Sequence, residues 1–415
     1  MRSVRAVLPE GFDISTSFFR QWQAVNDWLL SHEAFWRPVP FMEPAPDWCQ
    51  QHPDLANWLE QLSDAECDDW SERASAFAQE VARFVPALAD YDELVSLPKL
   101  PGYERGPQAA LREVQAVDMP GRKRLQAGAF AVSVTPLNSR VLDWCCGKGH
   151  LARTLVGQGA EAVFGFEWDA ELVQDGNRLA ARYGDPVSVI QQDVMSDQLR
   201  WPAVHHGAAL HACGDLHRQL LVAGSEAGLA RLSVSPCCYH LGGRGAYGLL
   251  SQQARDAHNV LEMDRAGLRL AVQETVTAPA RERAQSARIR AWRLGFDALQ
   301  RSLSESGRYL PVPSHPSRLN SGRFEAFCRW AADKKRVVLP AEVDWPCWLA
   351  AGQKRSRQVR RHELLRHLFR RPLELWLVLD YAVYLEEQGY RVDVGVFCER
   401  SLTPRNILLD AVKAT

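Results

Sequence analysis

The chain has no apolar run of the ~20 residues that a membrane-spanning helix needs, so a helical membrane protein is not expected. Its opening, Met1-Arg2-Ser3-Val4-Arg5, leads into no hydrophobic segment of the kind that directs secretion. Internal repeats and low-complexity tracts are missing as well, and 415 residues suffice for two or three domains with a full core. The ten cysteines, several in adjacent pairs, do not make a secreted disulfide framework, so a cytoplasmic setting is expected. No C-x2-C pair occurs, and no metal is expected on that ground. The phosphate-binding pattern G-x-x-x-x-G-K-[ST] is lacking too, because Gly149 follows Lys148.

What is present centres on Val141-Leu142-Asp143-Trp144-Cys145-Cys146-Gly147-Lys148-Gly149-His150-Leu151. An apolar run ends at an acid, a glycine-bearing turn follows, and Leu151, Leu155 and Val156 then mark a helix pattern. Gly147 and Gly149 carry no Cβ to keep a ligand off the loop backbone, and they permit positive φ where the turn needs it. The first strand–helix turn of a doubly wound α/β sheet binds adenosine-type cofactors in this manner. Ala152 completes the loose pattern G-x-G-x-x-G/A, which alone is a weak signal. Val163–Glu167 reads as a second strand ending in an acid, placed to accept hydrogen bonds from ribose hydroxyls. Val187–Ile190 reads as a third, leading into Gln192-Asp193-Val194, where Asp193 could hold an adenine amino group.

The spacing of Asp143, Glu167 and Asp193 around G-K-G resembles class I S-adenosylmethionine (SAM) methyltransferases. Further on, Ala208–Leu216 reads as strand four and its loop, and Leu229–Ser235 as strand five, ending in Pro236-Cys237-Cys238-Tyr239-His240. Leu373–Glu387 is an apolar helix, and Tyr390–Cys398 and Asn406–Val412 are two strands around Leu402-Thr403-Pro404-Arg405. Asp143-Trp-Cys-Cys-Gly-Lys-Gly-His-Leu, His211-Ala-Cys-Gly-Asp-Leu, Ser235-Pro-Cys-Cys-Tyr-His and Thr403-Pro-Arg-Asn, in that order, are similar to one methyltransferase-domain family. It includes the glutathione S-transferase C-terminal domain-containing protein and the ribosomal RNA adenine dimethylase domain-containing proteins. The resemblance covers roughly 119–240 and 373–415. It implies an α/β, Rossmann-like sheet of seven strands, SAM as cofactor, and methyl transfer, but it names no acceptor. A more distant similarity to a eukaryotic tRNA ribose methyltransferase, in H-x-C-G and the later Cys-Cys pair, points towards RNA. SAM would then be held by Asp143, Cys145, Gly147, Gly149, His150 and Leu151 of the first loop. Glu167 and Trp168, Asp193 and Val194, and His211 and Cys213 would complete the site from the next three strands.

In the usual sheet order strands one, four and five are neighbours. Their carboxyl ends would bring Cys145, Cys146, Cys213, Cys237 and Cys238 together with His150, His211 and His240. Three readings compete. The cysteines can be small, soft packing around adenosine and sulfonium. One of Cys237 and Cys238 can be a nucleophile adding to pyrimidine C6, with a thiol pKa lowered by His240 or Arg244. RNA 5-methylcytosine enzymes place such a cysteine after strand five in a Thr-Cys-Ser context. Their Pro-Cys motif after strand four is replaced here by His211-Ala212-Cys213-Gly214-Asp215. The third reading is zinc, which thiolates and imidazoles suit, although adjacent cysteines rarely share one ion. For an oxygen or nitrogen acceptor, placement supplies much of the rate and a base need only take a proton. Asp215 and His240 are the candidate bases, and Tyr239 would position a planar acceptor. Asp215 has a rival reading as the N-cap of a helix starting at Leu216.

The expected domains are an acidic helical segment (1–97), a Pro/Gly-rich linker (98–118), the SAM-binding core (119–240), a basic helical insertion (241–372) and the C-terminal completion of the sheet (373–415). Amphipathic helices are expected over 12–36, behind Asp13 and Ser15 as caps, over Leu55–Leu62 and over Trp70–Val85. The early tryptophans are expected to fill a helical core. Residues 1–118 hold 9 Lys and Arg against 20 Asp and Glu, whereas 241–372 hold 25 against 12. The basic runs include Arg281, Arg283, Arg288, Arg290 and Arg293, then Lys334-Lys335-Arg336, then Lys354–Arg361. Such a segment over the ligand crevice is what a polyanion requires. RNA is therefore the expected partner, with Arg357, Arg360, Arg361 and Lys123 as its contacts; the alternatives are a small-molecule or protein acceptor, and a non-catalytic SAM-binding protein that interacts with RNA. Composition leaves the oligomeric state open.

Overall fold

The computed structural model describes residues 17–243, 247–273, 280–304 and 307–414, without the side chains of Pro107, Ala280, Arg283, Arg318 and Ser321. Asp13, Ser15 and Arg244, named above, lie outside the described residues. The backbone divides into two compact units. The first comprises 1–31, 93–276 and 370–415; the second comprises 32–92 and 277–369. The division differs from the expected segments: 1–97 and 241–372 are each split between the units.

The first unit is built on one seven-stranded sheet of order β3-β2-β1-β4-β5-β7-β6. Its strands are β1 (Arg140–Trp144), β2 (Ala162–Glu167), β3 (Val187–Gln191), β4 (His206–Cys213), β5 (Arg231–Cys237), β6 (Tyr390–Val396) and β7 (Ile407–Lys413). All seven coincide with strands expected from the sequence to within a few residues. β1 to β5 run parallel, and β7 lies antiparallel between β5 and β6. The central strands are apolar on both faces, as strands covered on both sides must be: Val141, Leu142, Ala208, Ala209, Leu232 and Val234 are all buried. The two edge strands alternate instead. Val187 and Val189 point inward while Ser188 and Ile190 point out, and Tyr390, Val392 and Val394 alternate with exposed Arg391 and Asp393.

Local chemistry fixes the helices that follow these strands. Asp169 caps the helix Ala170–Tyr183 by accepting from the backbone N–H groups of Glu171 (2.8 Å) and Leu172 (3.3 Å), and Gly184 ends it in the left-handed region. The helix Arg370–Glu387 is buried along nearly its whole length. The amino-terminal helix Phe18–Ser31 packs on it, with Trp22 and Trp376 rings 6.0 Å apart. Asn26 ties this pair together, accepting from Trp376 Nε1 (3.2 Å) and the Leu261 N–H (2.9 Å). Residues 98–118 are no free linker. Leu100 N–H donates to Val396 O (3.0 Å), Val396 N–H to Pro98 O (2.9 Å), and Gly106 lies against the helix Gly121–Ser133 so closely that a Cβ there would meet that of Ala129 at 2.6 Å.

In the second unit the acidic and basic segments fold together. The helix expected over Trp70–Val85 is two helices, Asp64–Glu72 and Ala74–Ala82, broken at Arg73. The first starts early because Ser63 and Glu66 form a reciprocal capping box. Trp36 and Trp48 are buried here, as Trp22 is in the first unit, so these tryptophans fill cores. Basic helices Ala280–Leu303 and Trp345–His367 pack on each other. Residues 32–92 hold 3 Lys and Arg against 13 Asp and Glu, and 277–369 hold 19 against 8, so the unit as a whole has 22 against 21.

Candidate active site

The sheet order reverses between β1 and β4, and ligands of such folds bind outside the carboxyl ends at that point. The loop from β1 enters here. Gly147 and Gly149 both take positive φ (55° and 69°), and space within 4 Å of a Cβ on Gly147 is empty, so the loop backbone is open to a ligand. Asp143 anchors the loop from below: its buried carboxylate accepts from the Ala152 N–H at 2.9 Å. Burial raises its pKa to about 7, with the charge of Glu167 adding to the rise. Glu167 ends β2 and reaches back to the loop. One oxygen accepts from the Gly147 N–H (2.9 Å), the other from the N–H groups of Trp168 (3.0 Å) and Asp169 (3.1 Å).

Other expected cofactor residues divide. Asp193 is exposed after β3, its carboxylate accepting from Met195 N–H at 2.9 Å, while Val194 is buried. Trp168 and Met195 are among the few large exposed apolar side chains, at 73% and 48%. Leu151 instead turns inward to the core with Ala152 and Leu155. Cys145 and Cys146 are both held as thiols, Cys145 pushed up to about 12 by burial first and then by Glu167. Cys146 packs against Gly165 of β2, where a Cβ would lie 2.4 Å from its sulfur. His150, at the start of the next helix, has its pKa lowered by burial. Lys148 turns to Asp118 and Asp175, 3.0 Å from each, which removes it as a phosphate ligand.

On the far side, His211 and Cys213 belong to the irregular end of β4. His211 Nε2 is 3.1 Å from Gln126 Oε1, and burial lowers its pKa to about 4. The helix after β4 begins at Asp215 itself, with Gly214 as N-cap, so the expected cap role of Asp215 gives way to another. Its carboxylate accepts from the Gly243 N–H at 2.7 Å and holds the loop after β5. Gly214 is required: its φ is 58°, and a Cβ would fall 1.8 Å from Leu241 O. Asp215, Tyr239 and His240 do share a cavity of about 670 Å³, together with Arg218, Tyr247 and Arg265. Tyr239 presents little to it, being 3% exposed, and burial drives its hydroxyl pKa far up. Arg218 lies 4.5 Å over the Tyr247 ring and donates to Gly248 O at 2.6 Å.

Cys213, Cys237 and Cys238 converge, with all three sulfurs within 4.8 Å of one another. Cys238 has its pKa lowered by hydrogen bonds from the other two thiols, with Arg405 and His240 adding positive charge. Sequence reasoning gave no role to Arg218, Arg265, Gln126 or Arg405. Arg405 was visible as part of Thr403-Pro-Arg-Asn, and Arg218 as the residue one turn after Asp215.

The expected RNA contacts fare differently. Arg360 pairs with Asp68 and, at 3.4 Å, with Asp64, while Arg361 Nε donates to Leu62 O at 2.8 Å. Both are spent within the second unit, on the acidic segment that their charge complements. Arg357 is exposed on the same helix, and Lys123 is exposed in the first unit. No helix among the described residues is long and apolar enough to cross a membrane.

Residues 131–242 match the family model described as a methyltransferase domain. Among curated proteins no significant match is found. Solved structures similar to parts of the chain include an rRNA methylase from Streptococcus thermophilus, 14% identical, covering 28% of this chain and 70% of that one with a TM-score of 0.22. A geranyl diphosphate methyltransferase in complex with GPP and sinefungin is 17% identical, covering 35% and 64% with a TM-score of 0.23. A possible exported protein from Bordetella parapertussis is 12% identical, covering 86% and 98% with a TM-score of 0.30. None of the three bears on the acceptor. The matched segment carries β1 to β5, and the β3-β2-β1-β4-β5-β7-β6 sheet that it belongs to has the Rossmann-like fold of class I methyltransferases.

Proposed function

We propose that the protein transfers the methyl group of SAM to RNA. The observation that carries the cofactor half is the Gly147–Glu167 hydrogen bond, which holds an acidic acceptor and an open glycine loop at the sheet's switch point. The loop would take the methionine portion, Glu167 the ribose hydroxyls, and exposed Asp193, with Trp168 and Met195 beside it, the adenine. Transfer needs the acceptor in line with the methyl group, and the cavity beside Tyr239 and His240 has room for a nucleobase together with the sugar that carries it.

Within that cavity the chain's residues supply three things. The Tyr247 ring, fixed by Arg218, offers an aromatic wall. Asp215 keeps the loop after β5 closed over it. His240, which lines it, is the candidate base that takes a proton as the new bond forms. Support for RNA comes from exposed Arg265 at this cavity and from exposed Lys123, whose charge acts on His211 and Cys213. It no longer comes from Arg360 and Arg361. The test is transfer of labelled methyl from SAM to separated RNA, protein and small-molecule fractions of cell extract. Label in RNA, abolished by Glu167→Ala, is the expected result; label confined to protein or small molecules overturns the acceptor, and no SAM binding overturns the whole.

A further inference from the structure

We infer that Cys213, Cys237 and Cys238 form a site for a soft divalent cation, zinc in the first place, with three thiolate ligands and a fourth position open. The sulfurs of Cys213 and Cys237 are 3.8 Å apart, and Cys238 completes a group within 4.8 Å. A tetrahedral zinc with Zn–S bonds of ~2.3 Å sets its sulfurs about 3.8 Å from each other. The pair therefore already spans one edge of the tetrahedron.

The sequence argued against this site, because it has no C-x2-C pair and adjacent cysteines rarely share one ion; in a regular strand they point to opposite faces. The backbone removes the objection. β5 ends at Cys237, and Cys238 takes a φ of 49°, in the left-handed region, so both thiols turn to one side. Opposite them, β4 loses register between Leu210 and Cys213, with His211 at a φ of 61°. A bulge of this kind re-aims a side chain, here the thiol of Cys213 towards β5. Two non-glycine residues in a sparsely populated backbone region, on adjacent strands, cost energy that simple packing of small side chains would not require.

Among the described residues no histidine or carboxylate joins the three sulfurs. Three protein ligands and one open position is the pattern of catalytic zinc, whereas structural zinc is closed by four. The trio ends β4 and β5, immediately before the cavity-lining residues Tyr239 and His240. Cation binding there releases the thiol protons, so it strengthens as pH rises. The inference does not depend on which acceptor is methylated.

The test uses the full chain, reduced and stripped with a chelator, then titrated with Co(II) as a spectroscopic probe. One Co(II) per chain should bind with a thiolate-to-metal charge-transfer band and tetrahedral d–d bands, and Zn(II) should displace it. In the wild-type protein, zinc should also slow alkylation of Cys213, Cys237 and Cys238 but not of exposed Cys347. Cys213→Ser and Cys238→Ser should each weaken the site by more than the ~10–100-fold that loss of an outer-shell partner costs. Absence of the charge-transfer band, or alkylation unaffected by zinc, overturns the inference without recourse to a variant. So does a reduced protein that takes up no cobalt but yields a Cys213–Cys237 disulfide on mild oxidation, which would make the trio a redox pair.

Discussion

Replacing Glu167 by Gln tests the cofactor site with the least disturbance of shape. The carboxylate accepts three backbone N–H groups, from Gly147 at 2.9 Å, Trp168 at 3.0 Å and Asp169 at 3.1 Å. A carboxylate offers about four lone-pair positions, so room remains for a ribose hydroxyl as a further donor. The amide keeps one acceptor oxygen and sets an NH2 where the other stood. That NH2 faces either Gly147 N–H or the Trp168–Asp169 pair, and it can accept from neither. The loss of a charge-assisted hydrogen bond is worth about 1.5–3 kcal/mol, which converts to roughly a 10- to 150-fold weaker Kd for SAM. Titration calorimetry reads this directly, and a thermal melt of the same sample shows whether the fold is kept. A Kd within about twofold of wild type, in a protein that melts normally, removes Glu167 from the site.

Asp410→Asn should destabilise the sheet by a few kcal/mol in urea unfolding, towards the ~3–5 kcal/mol typical of a broken buried ion pair. Asp410 holds Arg231 through two contacts (2.9 and 2.7 Å) and accepts from Ser233 Oγ at 2.5 Å, so a loss below about 0.5 kcal/mol would refute that reading. His206 and His217 are buried, and burial lowers their pKa values from 6.5 to about 3 and about 4. The unfolded chain binds these protons first, so stability present above about pH 6.5 should fall as pH drops towards 4, and a urea midpoint unchanged between pH 7 and 5 would contradict it. Arg360→Ala, whose partners are exposed carboxylates, should cost no more than ~1 kcal/mol and leave SAM affinity unaltered. In RNA binding, Lys123→Ala should lessen the log–log salt slope by about 0.7 while the Arg360/Arg361 double variant leaves it unchanged; the opposite pattern would return the RNA surface to the second unit.

The sheet was readable because its strands announce themselves twice, by apolar runs and by what ends them. Asp143, Glu167 and Asp193 each mark a carboxyl end, and the glycines at 147 and 149 mark the loop between the first strand and its helix. The elements that escaped were set by contacts distant in sequence or by short signals outweighed by periodicity. Ser63-x-x-Glu66 is a helix-start signature that the longer apolar pattern from Trp70 obscured. The 98–118 segment carries prolines and glycines that read as a linker, yet Gly106 is there so that backbone can lie against Ala129. Asp215 looked like a cap because Leu216 begins an apolar pattern, but Gly214 holds the cap position and frees the carboxylate for Gly243. That Cys213, Cys237 and Cys238 meet was legible from the order of strands four and five, but their common direction was not, since it depends on the left-handed backbone of His211 and Cys238.

The charge pattern shows why composition along a chain is a weaker guide than composition within a folded unit. A basic stretch read by itself calls for a polyanion from outside. Here the chain supplies its own counter-charge, because residues 32–92 and 277–369 form one unit with 22 cations and 21 anions. Individual contacts bear this out: Arg360 meets Asp64 and Asp68, Arg361 and Arg355 meet the carbonyls of Leu62 and Pro40, and Arg366 donates to Trp36 O at 2.8 Å. The same arginines that suggested an RNA surface are therefore part of what holds the acidic helices to the basic ones. On the proposed function, the acceptor's contacts are to be sought instead among the exposed cations of the first unit, Lys123 and Arg265 among them, and in the cavity after β5 that Arg265 and His240 line.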